Sequence, residues 1–288
     1  MSTIIKAVFE PISSSSQAIS NYQYGCTAEA EILFTSPQAA LEATTVPEPA
    51  PLPTIFIVGY TYRGSLQPRS MVSNFADIGL PFLIAHRTFD LVLEILPYGR
   101  PADRIEQEII EFNRSGNIGQ EMYQFIRVAD RPLFEYLLIR AHQLGIRIHS
   151  GGVNYENAQA TILNRNFINS PERLAAAARE IRRNSEARIR ELADAGKRVA
   201  SFGGSAHANP FPNRKNAGIS FVPSLAHDYG VRVRIINLVD RALSQSNNSF
   251  KHLGLRNQLT WENLVPRKHY NLVRLSCPNS YLLFWPSR

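Results

Sequence analysis

The sequence predicts an α/β fold with a largely parallel central sheet flanked by helices. Three observations lead there. Short apolar runs of strand length, such as Ile55-Phe56-Ile57-Val58 and Val199-Ala200-Ser201-Phe202, alternate with helix-length periodic segments through the middle of the chain, the pattern of strand–helix–strand units. Both runs break at glycine, in Gly59-Tyr60-Thr61-Tyr62 and in Gly203-Gly204-Ser205-Ala206-His207, as strands do where they leave a sheet. The chain has 288 residues, 44% of them hydrophobic, which is enough to bury a sizeable core in one large domain or two small ones.

The elements follow in order. Residues 1–10 carry Ile4, Ile5, Val8 and Phe9 and suggest a short strand before Ser13-Ser14-Ser15-Ser16. This Ser- and Gln-bearing start is similar to the leaders of effectors exported by bacterial injection machines, and reads equally as a disordered tail. Residues 36–43 suggest a short helix capped by Ser36 with Pro37 in its first turn. The run Val46-Pro47-Glu48-Pro49-Ala50-Pro51-Leu52-Pro53 is a stiff spacer. It divides an N-terminal extension, 1–53, from a core domain, 54–242, which a C-terminal extension, 243–288, follows. Within the core, Met71, Val72, Phe75 and Ile78 share one side of a helix over 68–79. An apolar segment over 81–85 leads to a strong strand over 89–97, with Glu94 where the chain leaves the sheet. Helices over 101–113 and 131–144, a strand over 146–149 and a long helix over 170–195 come next. Ser170-Pro171 opens that long helix and Gly196 closes it. A Pro/Asn/Gly-rich loop over 209–218, a short helix over 221–229 and a strand over 231–238 complete the core. The tail beyond 243 carries no assignable pattern.

The net charge of +7 and pI of about 9.6 suit an anionic partner, or arginines scattered on helix faces. No Lys/Arg block interleaves with aromatics, so nucleic-acid binding is not expected. Cys26 and Cys277 have neither metal spacing nor a disulfide framework. One bridge between them stays open, with a reduced compartment the simpler assumption. No classical signal peptide and no stretch of ~18 apolar residues is present. The expectation is therefore a cytoplasmic protein, or one exported without such a signal, with no transmembrane segment.

Ligands of open α/β sheets bind outside the carboxyl ends of strands. His207 there is a candidate base or ligand. Glu94 and the Arg165-Asn166 pair before the long helix add an acid and a guanidinium. No Gly-x-Ser-x-Gly occurs, so a conventional serine triad is not supported. Gly59 to Tyr62, Glu94, Arg165-Asn166 and Gly204-Ser205-Ala206-His207 together resemble the superfamily that joins erythromycin esterases, haem-uptake ChaN-like proteins, the Tiki and TraB proteins and a domain of the Pasteurella toxin. Its pattern is a strand ending in Gly-x-x-His, a strand ending in Glu, Arg-Asn or Arg-Asp before a helix, and a second Gly-x-x-His. The resemblance covers roughly residues 54–240. Tyr62 departs from it, standing in the place of the first histidine.

That resemblance implies a catalytic set of His207, Glu94, Arg165 and Tyr62, with Gly59, Gly204 and Asn166 lining the substrate. It implies a divalent metal or haem in some members. Glu94 and His207 alone are two good metal ligands, one short of the usual catalytic three, and His86 or His149 would have to complete them. The erythromycin esterases suggest a metal-free scheme instead. In it His207 activates water, Glu94 fixes its tautomer or acts as acid, Arg165 holds an anion or oxyanion, and Tyr62 donates a hydrogen bond. His227-Asp228 is not expected to serve as a metal pair, since neighbours on a helix do not face each other. The function implied is a hydrolase-like effector or toxin acting on a small molecule or a host protein. The alternative is an inert relative that binds haem, another small anion or a host protein.

Overall fold

The computed structural model of the protein describes residues 28–45, 54–60, 71–126, 131–163, 171–212, 218–240, 269–277 and 279–285. The strand expected over 1–10 lies outside them. Eight strands form one sheet: β1 (Ala28–Phe34), β2 (Ile55–Tyr60), β3 (Asp90–Leu93), β4 (Arg147–Ser150), β5 (Val199–Gly204), β6 (Val233–Asp240), β7 (Tyr270–Leu275) and β8 (Ser280–Trp285), in the spatial order β1-β7-β8-β6-β2-β5-β3-β4. Pairing is parallel from β8 through to β4, and antiparallel only at β1/β7 and β7/β8. The fold class is thus a mostly parallel α/β sheet. β2 and β5 both carry a glycine at the carboxyl edge. They are neighbours in register, Gly59 against Gly203.

Why these runs become central strands follows from their two buried faces. Every residue of β2 is buried, as continuous apolar runs demand in a parallel sheet covered on both sides. On one face, Phe56, Val58, Leu91, Leu93, Ala200 and Phe202 pack against the helices α2 (Met71–Asn74), α3 (Leu80–Ala85), α4 (Arg104–Ser115) and α6 (Arg131–Gln143). A π-helical turn, Phe75–Gly79, joins α2 to α3. On the other face, Ile55, Ile57, Val92, Val199 and Ile235 meet α8 (Pro171–Asp194) and α9 (Val222–Tyr229). Shorter helices, α1 (Pro37–Ala43), α5 (Gln120–Phe125) and α7 (Tyr155–Leu163), complete the described residues. Ser36 Oγ caps α1 by accepting from the Ala39 amide at 3.1 Å. Gly145 and Gly196 follow α6 and α8 at φ +72° and +76°, a left-handed turn that only glycine takes without strain.

The extensions outside residues 54–242 join this architecture. β1, β7 and β8 enlarge the same sheet, and Trp285 and Leu283 enter the first core. Cys277 is disulfide-bonded, a bridge that the sequence leaves open. The sequence's other cysteine, Cys26, lies outside the described residues.

A charge cluster marks the amino edge. Asp90 opens β3 and accepts from Arg147 at 3.0 and 2.6 Å and from His149 at 2.8 Å. Burial pushes its carboxyl up, and the hydrogen bonds and charges of His149 and Arg147 outweigh that and hold it at about 2. The folded value lies below the ~3.9 of an unfolded Asp. The unfolded chain therefore takes up this proton first as pH falls, and the stabilisation is present above about pH 4 and lost towards pH 2. Its size is about 2 kcal/mol. Urea unfolding of the wild type and Asp90→Asn across pH 2–7 is expected to show a gap of that order at neutral pH that closes as the solution is acidified.

Candidate active site

The carboxyl edge is built around one row of the sheet. Gly59 pairs with Gly203 on one side and Asn237 on the other. Glu94 follows the Leu93–Phe202 pair and continues the ladder, its amide donating to Phe202 O at 3.4 Å. Glu94, Gly203, Gly59 and Asn237 therefore stand side by side on the face covered by α8 and α9. Missing side chains at the two glycines are what the arrangement uses. A Cβ on Gly203 would overlap the Glu94 carboxylate, and one on Gly59 would overlap Asn237 Oδ1. Each polar arm lies flat over its neighbour's backbone. Beneath this floor Phe202 stacks between Tyr60 and Phe75, with ring centroids at 4.8 and 4.1 Å.

The chain connections open a crevice at this row. β3 continues to α4, whose Ile105, Ile109 and Phe112 belong to the first core. Its neighbour β5 continues to α9, whose Val222 and Leu225 belong to the second. Adjacent strands whose chains depart to opposite faces leave a cleft at their carboxyl ends. Glu94 and His207 line that cleft together with Gly203, Gly204, Ser201, Ser185, Ala208 and Phe221. The space amounts to about 220 Å³ counted out to solvent. Its free centre is about the size of one water molecule.

The electrostatics are set by what is paired and what is not. His207 is 7% exposed. Its Nδ1 lies 2.9 Å from Ile219 O. A carbonyl can only accept, so Nδ1 carries the hydrogen and a neutral ring leaves its lone pair on Nε2. The ring's orientation is thus fixed by a backbone carbonyl, and not by Glu94 as the resemblance had suggested. Among the described residues Nε2 has no partner, and neither does the Glu94 carboxylate. An atom at the Cβ position of Gly204 would sit 3.3 Å from Glu94 Oε1 and 4.0 Å from His207 Cδ2, so the two groups approach over the same backbone. Ser201, 5% exposed, brings a hydroxyl with no hydrogen bond among the described residues. Ser185 Oγ donates to Gly151 O at 2.7 Å.

The remaining sequence expectations fall elsewhere. Tyr62, Arg165 and Asn166 lie outside the described residues. Gly59 does not line the cleft: Ala208 and Ser205 close over it. His86 is held 3.0 Å from Glu42 Oε2, and His149 is held by Asp90, so neither completes a metal site at Glu94. Among the described residues no three His, Cys, Asp or Glu side chains gather as a metal site. His227 and Asp228 do touch, at 2.7 Å, but on the exposed side of α9. Ser201 and Asn237 were not singled out from sequence. The available signal was one polar residue inside each apolar strand run, Val199-Ala200-Ser201-Phe202 and Ile235-Ile236-Asn237-Leu238.

The placement of Glu94 over Gly203 is testable by a double-mutant cycle. Gly203→Ala is expected to lose about 1–3 kcal/mol through overpacking. In a Glu94→Ala background most of that loss should vanish. Urea unfolding of the four proteins measures the coupling, and simple additivity would contradict the contact.

No family model matches the chain, and no curated protein matches it. Among solved structures it is similar to RRSP, a MARTX toxin effector domain from Vibrio vulnificus, at 16% identity and a TM-score of 0.40 over 55% of this chain and 28% of that one. The chain thus spans under a third of that toxin structure's length. It is also similar to the type III effector HopBA1, at 9% identity and a TM-score of 0.37 over 69% and 84%. A Bacillus cereus protein matches at 13% identity and a TM-score of 0.46 over 90% and 94%. These neighbours are bacterial toxin and effector domains and one Bacillus protein; each TM-score is below 0.5, and the functional reading rests on this chain's own residues.

Proposed function

We propose that the protein is a hydrolase of effector or toxin type that uses a general-base mechanism at the cleft between β3 and β5. The observation that carries this is the pairing state of His207. Its Nδ1–H is spent on Ile219 O, and His207 lines the same cleft as Glu94, whose carboxylate has no hydrogen bond among the described residues. A buried water needs two to four polar partners, and Nε2, Glu94 and the Ser201 hydroxyl supply them. In the reaction a water held there gives its proton to Nε2 as its oxygen attacks an electrophilic carbonyl of the substrate. The imidazolium that results is stabilised by the Ile219 carbonyl and by the carboxylate across the cleft. The same proton then passes to the leaving group from His207, directly or through Glu94.

Arg165, Asn166 and Tyr62 keep the roles that the family resemblance implies: anion or oxyanion binding for Arg165 with Asn166, and a hydrogen bond to substrate for Tyr62. Gly204 leaves the cleft floor free for a substrate group to approach the backbone. The substrate is a small molecule or a host protein. The setting in a host cell is supported by the Ser- and Gln-bearing start, which is similar to effector leaders.

The experiment is expression in yeast of the full chain, His207→Ala and Glu94→Gln at matched protein levels. Loss of a general base lowers rates by about 10²–10⁴-fold, so the wild type is expected to slow growth and both variants to restore it. Equal growth of all three would overturn the reading, and equal arrest by all three would point to binding without chemistry.

A further inference from the structure

Asn237 is buried completely inside β6, yet its carboxamide is only half used: Nδ2 donates to Ala208 O at 3.2 Å, and Oδ1 has no partner. The unmade hydrogen bond of a buried polar group costs stability, so an amide with one arm unpaired is a poor choice for stability alone. Ile235, two residues back on the same face of β6, is apolar and buried. What the amide does instead is reach over Gly59, which has no side chain to block it, and hold the residue next to His207. We infer that Asn237 is a positioning residue for the His207 turn, gripping it from the β6 side of β5 while Glu94 borders it from the β3 side.

The turn is anchored at further points that share this geometry. The Ser205 amide donates to Tyr60 O at 2.9 Å and the His207 amide to Gly204 O at 3.0 Å. Ser220 Oγ lies 2.9 Å from His207 O and 2.7 Å from Asn209 O. These contacts hold the backbone on its β2 and Ile219 sides. Only Asn237, among the described residues, ties the His207–Ala208 backbone to a side chain of the sheet itself. Losing that tie frees Ala208 to lift from Gly59, and the His207 ring then loses its fixed distance to Ile219 O. Asn237 does not line the cleft, so it acts through His207 and touches no substrate.

This inference rests on the reading of His207 as the base, and its test needs no substrate. The full chain, labelled with ¹⁵N at histidine, is compared with Asn237→Leu by ring ¹⁵N spectroscopy and by thermal unfolding. In the wild type the His207 ring is expected in the Nδ1–H form when neutral. In Asn237→Leu the melting temperature is expected to fall, because Ala208 O is left buried without its donor, while the His207 signal of the folded variant moves towards a mixture of tautomers. Should Asn237→Leu not fold, Asn237→Ser, smaller and unable to reach Ala208, gives the same readout. An unchanged His207 signal in the folded variant would overturn the positioning role. A lost signature with undiminished growth arrest in yeast would leave positioning intact and overturn His207 as the base.

Discussion

The parallel register of β2 against β5 and β6 is the constraint on which the site depends. It sets Gly59 level with Gly203 and with Asn237, so the last row of the sheet is backbone in its middle and polar at its ends. A one-residue slip in a strand turns every side chain to the other face. Here such a slip would send Glu94 or Asn237 into the aromatic stack of Tyr60, Phe202 and Phe75 and remove the floor altogether. Continuous apolar packing on both faces fixes the register, and the chemistry at the edge inherits its precision from that packing.

The edge is asymmetric although β5 has a departing neighbour on each side. Towards β2 the space above Gly59 is filled by Ala208, Ser205 and the Asn237 amide. Towards β3 it stays open, and Glu94, Ser201 and His207 line that space. The filled side braces the turn, and the open side is lined by its histidine. Buried polar groups normally find partners. Asn237 Oδ1, on the filled side, is an exception among the described residues.

Much of this was legible in the sequence, for physical reasons. Runs such as Ile55–Val58 are apolar on both faces, which central parallel strands require and surface strands do not. The long helix announced its end through Gly196, and the Glu94 and His207 positions followed from strand ends. The rest was hidden because it depends on pairing between distant segments. β7 and β8 are held by an antiparallel hairpin and a parallel contact with β6, which local pattern in the tail does not encode. Ser201 and Asn237 look like interruptions of apolar strands until the register shows which glycine each stands beside. The partner of His207 Nδ1, Ile219 O, is a backbone acceptor twelve residues on and leaves no trace in residue type. His86 and His149 looked available near strand ends, and the carboxylates of Glu42 and Asp90 claim them.

The central claim is that Glu94 and His207 face one another across a single cleft. It is tested most directly by the ring resonances of His207 in Glu94→Gln, a substitution that changes charge and almost nothing in shape. The account predicts that the His207 ring signals shift while those of His86 and His149 stay in place. A His207 signal unmoved by the loss of that charge would contradict it.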